Sequence, residues 1–146
     1  MKKKIQKTYQ DHGFGFPVTL LNVTMIEARG EWVPDVNQKE LQERVIEALV
    51  IKYSRLSGNE IRFIRQYFQM TLEQFAERFD VTHPAVLKWE RTKNHGTGMN
   101  WTTEKDIRLF ALNRLSPKAQ RFVVVYEQLT EVAPEKSESI KIDLAA

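Results

Sequence analysis

The sequence predicts a mainly α-helical protein, a helix-turn-helix bundle preceded by a small N-terminal β-hairpin plus helix module. Three observations carry this expectation. Apolar residues recur at helical spacing through most of the chain after Gln38. Ser57 and Thr71 are each followed three residues later by Glu60 and Gln74, the reciprocal pattern that caps a helix N-terminus. The stretch 17–36 is rich in Val, Thr, Leu and Ile and is interrupted by Arg29-Gly30-Glu31, as expected of two strands joined by a turn.

Composition bounds what such a protein does. The 146 residues suffice for one ordinary core or a small domain with an appended module. With 42% hydrophobic and 28% charged residues, neither a wholly disordered chain nor a fibrous repeat is compatible. The 22 Lys and Arg against 19 Asp and Glu leave a formal charge of +3, which permits a polyanionic partner. Cysteine is absent, so disulfides, thiolate nucleophiles and Cys-ligated zinc are excluded. No apolar run approaches the roughly 18 to 20 residues of a membrane span. Met1-Lys2-Lys3-Lys4 is followed by polar residues rather than a secretory core, so a cytoplasmic protein with no membrane partner is expected.

Residues 1–16 are basic and then glycine-punctuated, and read as a flexible basic arm. Residues 17–56 form the hairpin, with strands expected over 18–28 and 32–36, and a helix from Gln38 towards Leu56 whose Leu41, Val45, Leu49 and Lys52 stem share one face. A lone hairpin is marginal in water, so it must pack on that helix. Residues 57–132 form the helix-turn-helix domain with a C-terminal helix. Ser57 opens a helix bearing Ile61, Ile64, Tyr67 and Phe68, and Thr71 opens a shorter one bearing Phe75, Ala76 and Phe79. Thr82 caps a third that carries Pro84 in its first turn, where a missing N–H costs little. A loop over 92–100, a helix around Ile107, Leu109, Phe110 and Leu112, and a last helix opened by Ser116-Pro117 follow. Residues 133–146 read as a polar tail, in which Ile140, Ile142 and Leu144 alternate enough to form a strand if an edge is offered.

The segment 72–91 fills every apolar slot of a helix-turn-helix: Phe75, the small Ala76 where the helices cross, Phe79 and Val81 around the turn, then Val86 and Trp89 facing inward. Asp80 occupies the turn position where glycine is common, and aspartate tolerates the left-handed conformation better than most residues. At about 100° per residue, Thr82, His83, Ala85 and Lys88 then face outward, with Arg91, Lys93 and Asn94 beyond the helix end. These seven are the candidate DNA-binding residues. Lys88 and Arg91 can donate to guanine or phosphate, as can His83, Thr82 sits at a helix N-terminus suited to phosphate, and Ala85 is small enough to meet a thymine methyl. Lys93 and Asn94 suit flanking backbone contacts. Between Ile61 and Arg114 nine basic residues face six acidic ones, an excess equal to that of the whole chain.

The runs 55–65 and 71–91, with Trp89-Glu90 after the inner valine, resemble the Xre/Cro-type helix-turn-helix domain of MqsA-type antitoxins. A hairpin followed by a helix like 41–49 also precedes that domain there, so the likeness covers roughly 16–112. The resemblance implies an antitoxin that neutralises a cognate toxin and represses its own operon as a dimer. Such antitoxins usually carry four zinc-binding cysteines, and this chain has none. Its N-terminal module is therefore expected to be held by hydrophobic packing or by a partner.

Other chemistry is weakly represented, and no enzymatic activity, metal or cofactor is expected. His12, His83 and His95 are the only histidines and lie at no metal-ligand spacing. Glu40, Glu43 and Glu47 are interleaved with Lys39 and Arg44, as on a solvated helix face. The run Phe122-Val123-Val124-Val125-Tyr126 exceeds what one face of an isolated helix buries, so it either fills a core or meets a twofold mate. The expected function is a dimeric regulator that reads a palindromic operator through the major groove of double-stranded DNA. The competing expectation is a protein-protein interaction module, toxin-neutralising or scaffolding, whose helix-turn-helix does not read DNA.

Overall fold

The computed structural model describes residues 2–115, 119–133 and 136–145, leaving aside the side chains of 119–121. Its organising element is a long central strand. β1 (Lys3–Asp11) runs antiparallel to β2 (Val18–Ala28) along the full length of β1, with Lys3 opposite Ile26 and Asp11 opposite Val18. The other edge of β2 is shared. β3 (Glu31–Pro34) pairs antiparallel with its C-terminal part, and β4 (Ile140–Asp143) pairs parallel with its N-terminal part, Val18 opposite Ile140. Arg29 and Gly30 both take positive φ, 53° and 81°, in the tight turn between β2 and β3.

Along β2 the buried apolar positions are Val18 and Leu20, then Val23 and Met25, so the core-facing parity of the apolar side chains changes at Asn22. Asn22 makes this change in the left-handed region at φ 55°, which asparagine adopts more readily than branched residues do. Its amide donates to Asp143 Oδ1 at 2.9 Å, tying the change of face to β4.

α1 (Gln38–Val50) begins where the Asn37 side chain accepts from the Glu40 N–H, and covers the sheet with Leu41, Val45, Ile46, Leu49 and Val50. Arg44 donates to the Asp143 carbonyl at 2.7 Å, fastening α1 to β4. α2 (Gly58–Tyr67), α3 (Leu72–Arg78), α4 (His83–Glu90), α5 (Trp101–Leu115) and α6 (Ala119–Gln128) follow, α6 ending in a 3-10 turn, Leu129–Glu131. The sheet residues Val18 and Leu20 and the helical residues Phe75, Val86 and Ile107 belong to one hydrophobic cluster.

The structure corrects the expected fold class. The fold is built around a four-stranded mixed sheet flanked by helices, so the protein is a mixed α/β fold and not a mainly α helix-turn-helix bundle. The difference comes from the two termini. The expected flexible arm contains β1, most of whose side chains are solvent-exposed, so its sequence lacks the apolar alternation that marks a half-buried strand. The expected polar tail contains β4, which forms because β2 leaves half of one edge open to it, burying Ile140 and Ile142. α1 also ends earlier than expected, at Val50, and Lys52 lies in the connection to α2 rather than on a helix face. The expected Ser116-Pro117 cap lies outside the described residues.

That connection runs through a buried charge network. Lys52 Nζ pairs with Glu60 at 2.7 Å, Arg55 Nε with Glu104 at 2.8 Å, and Arg108 Nη2 with Glu104 at 2.7 Å. Arg108 also donates to the carbonyls of Val50, Lys52 and Ser54. Burial pulls Lys52 and Arg108 below their ordinary pKa values, with their carboxylate partners opposing that shift. The C-terminal segment crosses the same connection, the Lys136 carbonyl accepting from the Arg55 N–H and the Ser54 hydroxyl accepting from the Glu138 N–H.

Candidate nucleic-acid interface

The surface of interest is built from local rules. Thr71 caps α3 with a full capping box, its side chain accepting from the Gln74 N–H at 3.1 Å and Gln74 Oε1 accepting from the Thr71 N–H at 2.9 Å. α3 is capped at its C-terminus by Phe79, Asp80 turns at φ 55°, and the Val81 N–H donates to the Ala76 carbonyl at 2.9 Å, which closes the turn. Thr82 then caps α4, accepting from the Ala85 N–H at 3.2 Å, with Pro84 in the first turn.

Val86 is fully buried and Trp89 is 7% exposed. Those two inward residues fix the rotation of α4 and leave Thr82, His83, Lys88 and Arg91 exposed, with Lys93 and Asn94 exposed in the turn that follows. Six of the seven residues expected on this face thus lie on the surface. Ala85 differs: it is half-buried and packs against the core, so its methyl is only partly available to a partner. Part of the polar capacity is already engaged, because the Thr82 hydroxyl is the α4 cap and Asn94 Oδ1 accepts from Asn59 Nδ2 at 3.1 Å.

The orientation of α4 is further held by Arg65 on α2. Its guanidinium grips Glu90 with two bonds, Nε to Oε2 at 2.7 Å and Nη2 to Oε1 at 3.0 Å, and donates a third to the Met70 carbonyl at 2.9 Å. A bidentate Arg-carboxylate pair with little solvent exposure fixes distance and angle together. Glu90 is thereby neutralised, whereas Lys88, Arg91 and Lys93 make no salt bridge among the described residues. The exposed face of α4 therefore carries uncompensated positive charge.

Arg62 and Asn59 also border this surface, in a groove of about 500 Å³ with Arg91 and Lys93. Sequence reasoning missed them because they lie on α2, outside the segment 72–91. The available signal was Arg62 in the first two turns of the capped helix, three residues before Arg65.

Among the described residues no group of three His, Asp or Glu side chains is placed to hold a metal ion. His12, His83 and His95 are all exposed. The described helices include none long and apolar enough to cross a membrane. Comparison with family models, with curated proteins and with solved structures finds no significant match to this chain.

Proposed function

We propose that the protein is a sequence-specific regulator of transcription that binds double-stranded DNA, with α3, its turn and α4 acting as the helix-turn-helix reader. The observation that carries this reading is the division of α4 into a face that buries Val86 and Trp89 and a face that exposes His83 and Lys88, with Lys88 in no salt bridge among the described residues. Packing alone accounts for the first face. The second offers hydrogen-bond donors of the kind that base edges in a major groove accept.

The protein acts as a homodimer on a palindromic operator, since readers of this kind pair two half-sites about one helical turn apart. The exposed Val123, Val124 and Tyr126 on α6 supply a face for the mate. The resemblance to MqsA-type antitoxins supports a finer reading, an antitoxin that binds a cognate toxin and represses its own operon. Lys88→Ala is the direct test. In gel shifts on the DNA upstream of its gene it lowers affinity about tenfold to a hundredfold, equivalent to about 1 to 3 kcal/mol. Wild-type affinity in the folded variant overturns the assignment.

A second reading, an interaction module that does not read DNA, is favoured by the exposure of Ile5 and Val33, apolar residues on the sheet. Recovery of a small toxin in a pull-down, with gel shifts negative at low salt, selects that reading.

A further inference from the structure

The N-terminal turn of α2 is held against the exit of α4 more closely than side chains ordinarily allow. Gly58 makes this possible, since a Cβ there would lie 2.2 Å from the Trp89 carbonyl oxygen and 2.5 Å from Thr92 Oγ1. The Gly58 N–H donates to the His95 carbonyl at 3.3 Å and the Asn59 N–H to the Lys93 carbonyl at 2.8 Å. Lys93 itself adopts φ 56°, which lets its carbonyl meet α2. This backbone splice brings Arg62, one turn along α2, into the same groove as Arg91 and Lys93.

Charge in the groove is lopsided. Arg65 and Glu90 cancel each other through their bidentate pair. Arg62, Arg91 and Lys93 remain, all exposed and none in a salt bridge among the described residues. Three like charges gathered on a rigid backbone repel one another, and a partner carrying closely spaced negative charge relieves that repulsion.

Resting on the DNA reading above, we infer that Arg62, Arg91 and Lys93 clamp the phosphate backbone beside the base pairs that α4 reads. Position separates the two roles. Recognition helices present base-contacting side chains mainly from their N-terminal part, where His83 stands; Lys88, in the last turn, is the one cation within α4 itself, whereas Arg91 and Lys93 lie at and beyond its C-terminal end and Arg62 is on another helix. Phosphate contacts carry no sequence information, so the clamp sets affinity and register while Lys88 sets preference.

The experiment is the salt dependence of binding by the full chain, on the operator and on a scrambled duplex of equal length. Each alanine at Arg62, Arg91 or Lys93 lowers the slope of log affinity against log salt by about 0.9 and leaves the operator-to-scrambled ratio unchanged. Arg62→Lys keeps the charge and the wild-type slope, and Lys88→Ala changes the ratio instead. Thermal melting checks that each variant is folded, and the exposure of Arg62 makes its substitutions mild. An unchanged slope in Arg62→Ala, or a changed ratio, overturns the clamp while leaving the DNA reading intact. Absence of any wild-type binding at low salt overturns the DNA reading itself, and the clamp with it.

Discussion

Glu104 and Arg108 stand one turn apart on α5 and form an ion pair at 2.7 Å in which neither side chain has any solvent exposure. Glu104 also accepts from Arg55 at 2.8 Å and from the Leu56 N–H at 3.2 Å, and Arg108 caps three carbonyls of the α1–α2 connection. The arginines Arg55 and Arg108 both lie over Trp101, 5.5 Å and 5.4 Å from its ring centroid. A backbone segment with no regular structure of its own thus satisfies its polar groups on a charge pair.

Breaking that pair on one side is costly because the other charge stays buried without a partner. Arg108→Met is expected to destabilise the protein by about 3 to 5 kcal/mol in urea denaturation. Destabilisation below about 1 kcal/mol would mean that water reaches the site.

Gly58→Ala tests the splice between α2 and the exit of α4. The added methyl meets a backbone oxygen at 2.2 Å, so the helices must move apart. A loss of about 1 to 3 kcal/mol is expected, as for overpacked interiors. The same change at Gly96, where an added Cβ meets nothing within 4 Å, serves as the control and should shift the melting temperature far less.

The Asn22-Asp143 link is legible in acid. The Asn22 amide, and after it the Ala145 N–H, hold the Asp143 carboxyl below its ordinary value of 3.8. A carboxylate depressed in the folded state contributes stability that is present above its unfolded pKa and is lost as pH falls through the folded one. The contribution is therefore complete near neutrality and disappears below about pH 3.8. Asn22→Gly, which keeps the left-handed backbone accessible, should move the Asp143 carboxyl titration upward when followed by NMR. An unmoved titration would show that the amide does not govern it.

The apolar face of α6 gives the proposed dimer its own test. Val124 is 57% exposed, so replacing it by lysine removes little from the monomer core. Val124→Lys should halve the mass seen by sedimentation and weaken operator binding. A dimer that persists with wild-type affinity locates the mate on another surface.

Much of the helical part could be read directly along the chain. The caps at Ser57, Thr71 and Thr82 all form, and Asp80 takes the expected left-handed turn. Val86 and Trp89 point inward, so the rotation of α4, and with it the exposure of Lys88 and Arg91, follows from spacing alone. Each of these features depends on residues within about four positions of one another, where backbone geometry leaves few alternatives.

Distant contacts decided the rest. The polar residues of β1 become a strand only because β2 supplies the hydrogen-bonding edge, and β4 joins a partner more than a hundred residues away in the chain. The pairing of Arg55 and Arg108 with Glu104, and the meeting of Arg62 with Arg91 and Lys93, likewise join separate elements. Sequence period marks which side of an element is apolar, and it carries no record of which charged or hydrogen-bonding groups will face one another once the elements pack. Hence the helices and the exposed face of α4 were written locally, while the mixed sheet, the buried charges and the basic groove came into being only with the tertiary fold.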